Sequence, residues 1–160
     1  MDMLVKLYAL PEAYSALDLA GQNGIKIRRA MASERDAVVQ SVTHLFGNTA
    51  PGWASECGIA FTRVPIACFV AIDDGNPVGF SCYNCTFNGF FGPIGVAPHV
   101  GRQGVGSALL LTTLHALRME GYAYAVIGHV GAPEFFRKTV GAIEIEGSSP
   151  GAYPDRQMRL

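Results

Sequence analysis

A glycine-rich turn between a strand-like segment and an apolar helix is the feature that most restricts how this chain can fold. The turn reads Gly101-Arg102-Gln103-Gly104-Val105-Gly106-Ser107. Upstream of it, Phe90 to Val96 has strand composition, and downstream Gly104 to Glu120 carries apolar residues at helical spacing. Tyr122 to Val130 is then almost continuously apolar, which is typical of a strand buried on both faces. This order indicates a mixed α/β sheet.

The remaining segments extend the pattern on both sides. Further strands are predicted at 25–28, 66–72, 78–87, 143–146 and 157–160, and further helices at 33–46, 53–61 and 133–140. The predicted order is β-α-α-β-β-β-α-β-α-β-β. We expect one domain, residues 25–160, with residues 1–24 as an N-terminal extension that packs on it.

Composition and charge exclude several functional classes. Of the 160 residues, 49% are hydrophobic and 16% charged, and the net charge of −1 gives no field that would attract nucleic acid or an anionic membrane. No apolar run approaches the roughly 20 residues that span a bilayer, and the N-terminus does not resemble a secretory signal. We therefore expect a cytoplasmic domain with no nucleic-acid or membrane partner.

The four cysteines fit reduced thiols better than a disulfide framework. Cys82 and Cys85 form a C-x-x-C pair, but Cys57 and Cys68 do not form a second one in sequence. No nearby histidine cluster completes a zinc set either. The sequence therefore predicts no metal site.

The glycine-rich turn has the chemistry of an anion site. Glycines let a ligand approach the backbone, and successive N–H groups at a helix start can hold a pyrophosphate without net positive charge. The turn is not a P-loop, because no lysine precedes Ser107. It also departs from the dinucleotide fingerprint, which requires a glycine where Leu109 stands and a carboxylate after the next strand.

Pro93 lies inside the strand-like segment that precedes the turn. Proline cannot donate to a strand ladder, so it indicates an edge or a bulge. A bulge would move this strand away from its neighbour and leave backbone groups free. The two amides of a pantetheine arm are suitable partners for such groups.

Two segments together resemble the GNAT superfamily of acetyl-CoA-dependent N-acetyltransferases. Val96-Ala97-Pro98, followed by Gly101 to Leu110, is similar to its motif A, and Ala132 to Ala142 is similar to its following helix. The resemblance implies a GNAT-like fold in which the strand with Pro93 is bulged and splays from the strand at 122–130. It also implies direct attack of a primary amine of a small molecule or peptide on acetyl-CoA, without a covalent enzyme intermediate. Residues 1–24 could cover the sheet or mediate a homodimer. The residues that it assigns to the cosubstrate are Ile94, Gly95, Val96, Gly101, Arg102, Gln103, Gly104, Val105, Gly106, Ser107 and Phe136.

This sequence departs from the family pattern at two positions. Gly101 stands where the superfamily usually has Arg or Gln, and the basic residue follows at Arg102. The tyrosine that often protonates the departing thiolate is replaced by Phe136, or by Arg137 if the alignment shifts by one residue. Neither residue is a phenol.

Three residues are candidates for the chemistry at the amine. His129 follows the buried strand and has a suitable intrinsic pKa for a general base, although it could also only cap the strand end. Glu56 could attract a cationic amine and take its proton, or be a solvated surface residue. Tyr83 could orient the substrate or pack on its strand. A non-catalytic acyl-CoA sensor and a nucleotide-binding module stay open as alternatives.

Overall fold

The computed structural model describes residues 1–101 and 103–153. Arg102 and the predicted last strand at 157–160 lie outside the described residues. The strands are β1 (Met3–Lys6), β2 (Ile25–Arg29), β3 (Cys68–Asp73), β4 (Asn76–Tyr83), β5 (Phe90–Val96), β6 (Tyr124–Ile127) and β7 (Ile143–Glu144). The helices are α1 (Tyr14–Gln22), α2 (Arg35–Phe46), α3 (Trp53–Ala60), α4 (Val105–Met119) and α5 (Pro133–Val140), with short 3-10 turns at Leu7–Ala9, Ala32–Glu34 and Pro98–Val100.

The seven strands form one mixed sheet in the order β2-β3-β4-β5-β6-β1-β7. Strands β2 to β5 are an antiparallel meander, β5 and β6 are parallel, and β1 is antiparallel to both β6 and β7. This confirms the predicted mixed α/β class. None of the helices in the described part of the chain is long and apolar enough to cross a membrane.

The N-terminal extension contributes a strand to the interior of the sheet. Met3 pairs with Ile127 on one side and with Glu144 on the other. Met3 and Val5 are each 0% exposed, which shows that their face of β1 is fully covered, and Leu7 in the following 3-10 turn is equally buried. Residues 1–24 therefore do more than pack on the domain. Only four residues form the strand, too short a run for the alternation to indicate an interior position.

The strand predicted to continue to Phe87 ends at Tyr83. Asn84 has a φ of 53°, outside the extended region, and its side-chain Oδ1 accepts a hydrogen bond from the Gly89 amide at 2.7 Å. The Asn84 amide donates to the Phe90 carbonyl oxygen at 2.9 Å. Asparagine tolerates this conformation and bridges its own turn, so the chain reverses earlier than the apolar run suggested.

Helices cover both faces of the sheet. On one face, the buried side of α4 packs against β4, where the Ser81 and Thr113 hydroxyls are 2.5 Å apart. On the other face, α2 and α3 bring Phe46 and Trp53 against Phe80, with ring centroids 5.8 and 6.0 Å from it. Strand β4 therefore alternates its side chains between α4 and the α2–α3 pair.

A bulge in β5 opens the centre of the sheet. Ser81 pairs with Ile94 but Tyr83 pairs with Phe91, so β5 carries one extra residue at Gly92–Pro93. Strands β5 and β6 pair only at Phe90–Val126 and Phe91–Ile127, before the bulge. After the bulge the two strands separate. Among the described residues, the segment Gly92–Val96 thus has no strand neighbour on the β6 side. We call this segment the open edge of β5. The register shift confirms the bulge expected at Pro93.

Candidate active site

The glycine-rich turn leads into α4 through a left-handed residue. Gly104 has a φ of 75° and directly precedes Val105, the first residue of α4. The Ala108 amide donates to the Gly104 carbonyl oxygen at 2.9 Å. The amides of residues 105–107 precede this first helical bond, so they have no partner within the helix. With the positive end of the helix dipole, they form a site suited to an anion.

The two central glycines of the turn face different surroundings. A Cβ on Gly104 would lie 3.0 Å from the Leu19 side chain and 3.1 Å from the Ala16 carbonyl oxygen, so α1 supports the turn from behind. A Cβ on Gly106 would lie 3.6 Å from Phe135 and 3.9 Å from Val96, toward the space between α5 and the open edge of β5. Gly104 therefore serves the fold of the turn, whereas Gly106 keeps the space beside β5 open.

Gly95 lies in the open edge of β5 and is covered by aromatic rings. A Cβ there would come within 2.7 Å of the Phe46 ring and 3.0 Å of the Trp53 ring. Ile94 and Val96, on either side of it, are half-buried. The side chains of this edge are thus fixed by packing, and its backbone groups are the part available to a ligand.

Phe136, assigned to the cosubstrate by resemblance, lies in the core. It is 5% exposed and packs edge-on against Phe91, with ring centroids 6.3 Å apart. Arg137, the alternative under a one-residue shift, forms ion pairs with Glu134 and Glu144. Neither side chain supplies a hydroxyl to the cleft.

Glu56 forms the centre of a polar cluster on the α2–α3 face. It lies in the first turn of α3, where a carboxylate interacts favourably with the helix dipole. Its Oε1 atom accepts hydrogen bonds from the Thr86 hydroxyl at 2.9 Å and from the Tyr153 hydroxyl at 3.1 Å. Two donors on one oxygen fix the orientation of the carboxylate.

The Tyr153 ring completes this cluster from the C-terminal loop. It packs against Phe87 and Phe90 with ring centroids 5.7 and 6.4 Å away. A Cβ on Gly128 would lie 2.5 Å from the ring, so the end of β6 leaves room for it only because that residue is glycine. Burial, and then the neighbouring Glu56 carboxylate, raises the pKa of Tyr153, so its hydroxyl stays protonated.

Asp2 holds the C-terminal loop in place. The side chain is buried, and its two oxygens accept hydrogen bonds from the backbone amides of His129 at 3.0 Å and Ala152 at 2.8 Å. The Asp2 amide donates to the Ser148 hydroxyl at 2.9 Å. A Cβ on Gly151 would lie 2.7 Å from Asp2 Oδ1, so the loop crosses the carboxylate closely. Asp2, directly before β1, therefore positions Ala152, the residue that precedes Tyr153.

The structure does not bring the other two catalytic candidates to Glu56. His129 is exposed, with a φ of 49°, and only its backbone amide has a hydrogen bond among the described residues. Tyr83 is 0% exposed and faces α4, where it accepts from Arg29 at 3.1 Å and donates to Glu120 at 2.5 Å. Of the three candidates, Glu56 alone lies within a polar cluster beside the aromatic residues near the open edge of β5.

Sequence reasoning missed Tyr153, Thr86 and Asp2. Tyr153 and Thr86 lie in loops without periodicity, and Asp2 meets the C-terminal loop across most of the chain. The short Gly151-Ala152-Tyr153 run carries only a turn signal. Nothing local indicates the partners of these residues.

A second cluster of reactive groups lies beneath α3. The Sγ atoms of Cys57, Cys68 and Cys82 all lie within 4.8 Å of one another, and all three residues are 0% exposed. We call these residues the thiol cluster. The fold thus supplies the partners for Cys82 that sequence spacing did not reveal.

Comparisons with known proteins agree with this architecture. The model of the family described as an acetyltransferase (GNAT) domain matches residues 65–139. No curated protein matches the whole sequence significantly.

Solved structures that share the fold include three with distinct contexts. A GCN5-related N-acetyltransferase from Sphaerobacter thermophilus has a TM-score of 0.68 at 21% identity, over 89% of this chain and 47% of its own. A GCN5-related glucosamine N-acetyltransferase region of a fungal multi-domain β-N-acetylglucosaminidase has a TM-score of 0.68 at 13% identity, over 87% of this chain and 19% of its own. A GNAT family acetyltransferase from Brucella melitensis, in complex with acetyl-CoA, has a TM-score of 0.51 at 20% identity, over 71% of this chain and 80% of its own.

This chain spans less than half the length of the first two of these proteins. The likeness nevertheless covers 87% and 89% of this chain. Residues 65–139 of this chain therefore match the acetyltransferase (GNAT) domain family, and the sheet has the fold of the Sphaerobacter thermophilus N-acetyltransferase.

Proposed function

We propose that this domain transfers an acetyl group from acetyl-CoA to a primary amine of a small molecule or peptide. The observation that carries the proposal is the open edge of β5, which runs between the unpaired amides at the start of α4 and the Glu56 cluster. One end of this arrangement suits a pyrophosphate, its middle suits amide groups, and its far end suits a cationic amine.

The cosubstrate half of the proposal rests on backbone groups. Amides 105–107 at the helix start would hold the pyrophosphate, and the open edge of β5 would pair with the pantetheine arm. The chain fits this use, because Gly106 leaves space between Val96 and Phe135 that any larger residue would fill. A protein of the same fold from Brucella melitensis was solved with acetyl-CoA, which supports the choice of donor.

Glu56 would attract the ammonium form of the acceptor and take its proton. The carboxylate is held by hydroxyl donors on one oxygen, and its half-buried position strengthens its attraction for a cation relative to bulk water. Loss of that proton gives the amine nitrogen the lone pair with which it forms the amide bond as the thioester carbon–sulfur bond breaks.

Tyr153 would supply the hydroxyl that Phe136 lacks. Its raised pKa keeps it protonated, so it can donate a hydrogen bond to Glu56 or to the departing thiolate, which takes its proton from solvent. An amide of the open edge of β5 would stabilise the oxyanion, a contribution of roughly 3 kcal/mol in other acyl transfers. No covalent enzyme intermediate is required, so the cysteines need no nucleophilic role.

The surroundings of Glu56 favour an acceptor with an apolar group beside its amine. The Phe87 and Phe90 rings pack at a tilt of 53° with centroids 4.9 Å apart next to Tyr153, and Phe87 is 39% exposed. A cationic amine near such rings gains from both the carboxylate and the ring faces. We propose aromatic or aliphatic monoamines and amino-terminal peptide groups as the first acceptors to screen.

A panel assay of CoA release tests the proposal. The wild-type domain should release CoA from acetyl-CoA with at least one amine class, and the amide product should appear by mass spectrometry in equal amount. Glu56→Gln should lower kcat by about a hundredfold or more while acetyl-CoA binding is unchanged. Acetyl-CoA binding without product across the whole panel would contradict catalysis and favour a sensor.

A further inference from the structure

Three of the four cysteines of the chain gather at one place beneath α3. The thiol cluster draws one residue from α3, one from the start of β3 and one from β4, and Cys68 lies directly opposite Cys82 in the β3–β4 pair. Cys85 follows three residues later in the turn after β4, where its thiol donates to the Tyr83 carbonyl oxygen at 3.6 Å. None of the four is in a disulfide. Three separate elements thus converge their sulfur atoms on one point.

The geometry is close to that of a tetrahedral thiolate site. Zinc–sulfur bonds of about 2.3 Å place the sulfur atoms of a tetrahedral site about 3.8 Å apart. The three Sγ atoms already lie within 4.8 Å of one another, so small side-chain rotations bring them to that separation. The Cys82–Cys85 spacing is the C-x-x-C of structural zinc sites, and Cys57 and Cys68 take the place of the second pair.

The donor set selects the kind of metal. The cluster offers only sulfur, with no carboxylate or imidazole in the group, and thiolates bind soft or borderline ions rather than calcium or magnesium. The site is buried, where uncompensated thiolate charge is costly. A divalent ion neutralises more of that charge than a monovalent ion and is therefore favoured. The Arg35 guanidinium lies beside α3, 3.6 Å from where a Cβ on Gly58 would be. It adds positive charge to the surroundings of this helix.

We propose that Cys57, Cys68, Cys82 and Cys85 bind one structural zinc ion. The ion would tie α3 to the β3–β4 hairpin. Because Glu56 is the neighbour of Cys57 and Thr86 is the neighbour of Cys85, the same link would fix the two sides of the Glu56 cluster relative to each other. The role is one of positioning, since no thiol reaches the carboxylate.

Metal content and cadmium absorption test the site directly. The full chain, purified under reducing conditions and loaded with zinc, should retain one zinc per chain after gel filtration. Replacement by Cd²⁺ should produce a sulfur-to-cadmium charge-transfer band in the ultraviolet that saturates at one equivalent. Zinc should also raise Tm by several degrees, because a ligand that binds only the folded state stabilises it.

Substitutions assign the ligands. Cys57→Ala and Cys68→Ala should abolish zinc retention, whereas Cys85→Ala should leave a three-thiol site with at least a roughly tenfold higher Kd in chelator competition. Ser55→Ala, an exposed neighbour on the same helix, is the matched control and should bind like the wild type. Circular dichroism establishes that each variant is folded.

The wild-type titration decides the matter even if a buried substitution prevents folding. A folded wild-type chain that retains no zinc and gives no charge-transfer band overturns the proposal and leaves four ordinary core thiols. These readouts need neither acetyl-CoA nor an amine. Failure of the acetyl-transfer proposal would therefore leave them unaffected.

Discussion

The Tyr153 hydroxyl donates to Glu56 Oε1 at 3.1 Å across 97 residues of sequence. This bond joins the C-terminal loop to α3 and brings a protonated phenol next to a carboxylate. The helix after β6 carries Phe136 where the resemblance to the GNAT superfamily predicts a tyrosine, and in the proposed reaction the Tyr153 hydroxyl takes that place. The effects of substitutions at Tyr153, and at Asp2 that holds its loop, can therefore be predicted and measured.

Tyr153→Phe should lower kcat by roughly tenfold to a hundredfold at unchanged acetyl-CoA affinity, because it removes only the hydroxyl. The ring stays to pack on Phe90, so Tm should change little. A double-mutant cycle with Glu56→Gln checks the assignment. We expect the two effects to be non-additive by about 1 kcal/mol or more, since the side chains share a hydrogen bond. Strict additivity would separate Tyr153 from the Glu56 function.

Asp2→Asn should loosen the C-terminal loop. The asparagine side chain has one accepting oxygen, and its other end is an NH₂ donor. Either the His129 or the Ala152 backbone N–H group would therefore face that donor and lose its acceptor. We expect a loss of about 1–3 kcal/mol in the free energy of unfolding, the range for an unsatisfied buried group. Hydrogen exchange at residues 148–153 should rise, and kcat should fall with it. Asp18→Asn, exposed on α1, is the matched control. Faster loop exchange with full activity would mean that the loop does not position Tyr153.

Gly106→Val should raise the KM for acetyl-CoA by about tenfold or more, equivalent to roughly 1.4 kcal/mol. The added side chain would extend toward Val96 and Phe135, beside the open edge of β5, where the pantetheine arm is proposed to lie. The helix itself should tolerate the change, because the Cβ meets only ordinary contacts. Gly21→Ala, at a position with open space around it, is the control and should leave KM unchanged. An unchanged KM in folded Gly106→Val would place the cosubstrate elsewhere.

Stability should fall in acid through Glu34. Hydrogen bonds from Arg28 and then from the Met31 amide lower the pKa of Glu34 from 4.5 to about 2. Because the folded pKa is the lower one, the stabilisation is complete above pH 4.5 and is lost as the pH falls toward about 2. The two side chains are 28% and 25% exposed, and after allowance for solvent screening we expect a contribution of about 1 kcal/mol.

Urea unfolding of the wild type and of Glu34→Gln, at neutral pH and in this acid window, measures the Glu34 contribution. The difference between the two proteins should shrink in acid. Glu146→Gln, exposed near the C-terminal loop, should show no such change. A constant difference between wild type and Glu34→Gln would assign the stabilisation to something other than the Glu34 charge.

The sequence predicted the parts of the site that depend on neighbouring residues. Pro93 indicated the bulge because a proline has no ladder donor, and the structure places the register shift there. Glycines before an apolar helix indicated the start of α4, which begins at Val105. Both inferences use steric limits that hold whatever surrounds the segment.

Contacts between distant segments could not be predicted in this way. Cys57 and Cys82 are 0% exposed and share a cluster, yet no sequence spacing relates a helical cysteine to one on a strand. Tyr83 looked available for substrate but points to α4, because face alternation in β4 is fixed only once its register is known. Glu56 stays a predicted catalytic residue, and its hydroxyl partners Thr86 and Tyr153 could not be named from the sequence.

The position of β1 determines when the fold can be completed. This strand leaves the ribosome before its two neighbours, β6 and β7, which are synthesised more than a hundred residues later. Closing such distant pairs costs loop entropy and slows the final step of folding. Until that step the edge of β6 stays unpaired and open to other strands. In a nascent chain of this protein, β1 therefore stays unpaired until both β6 and β7 have been synthesised.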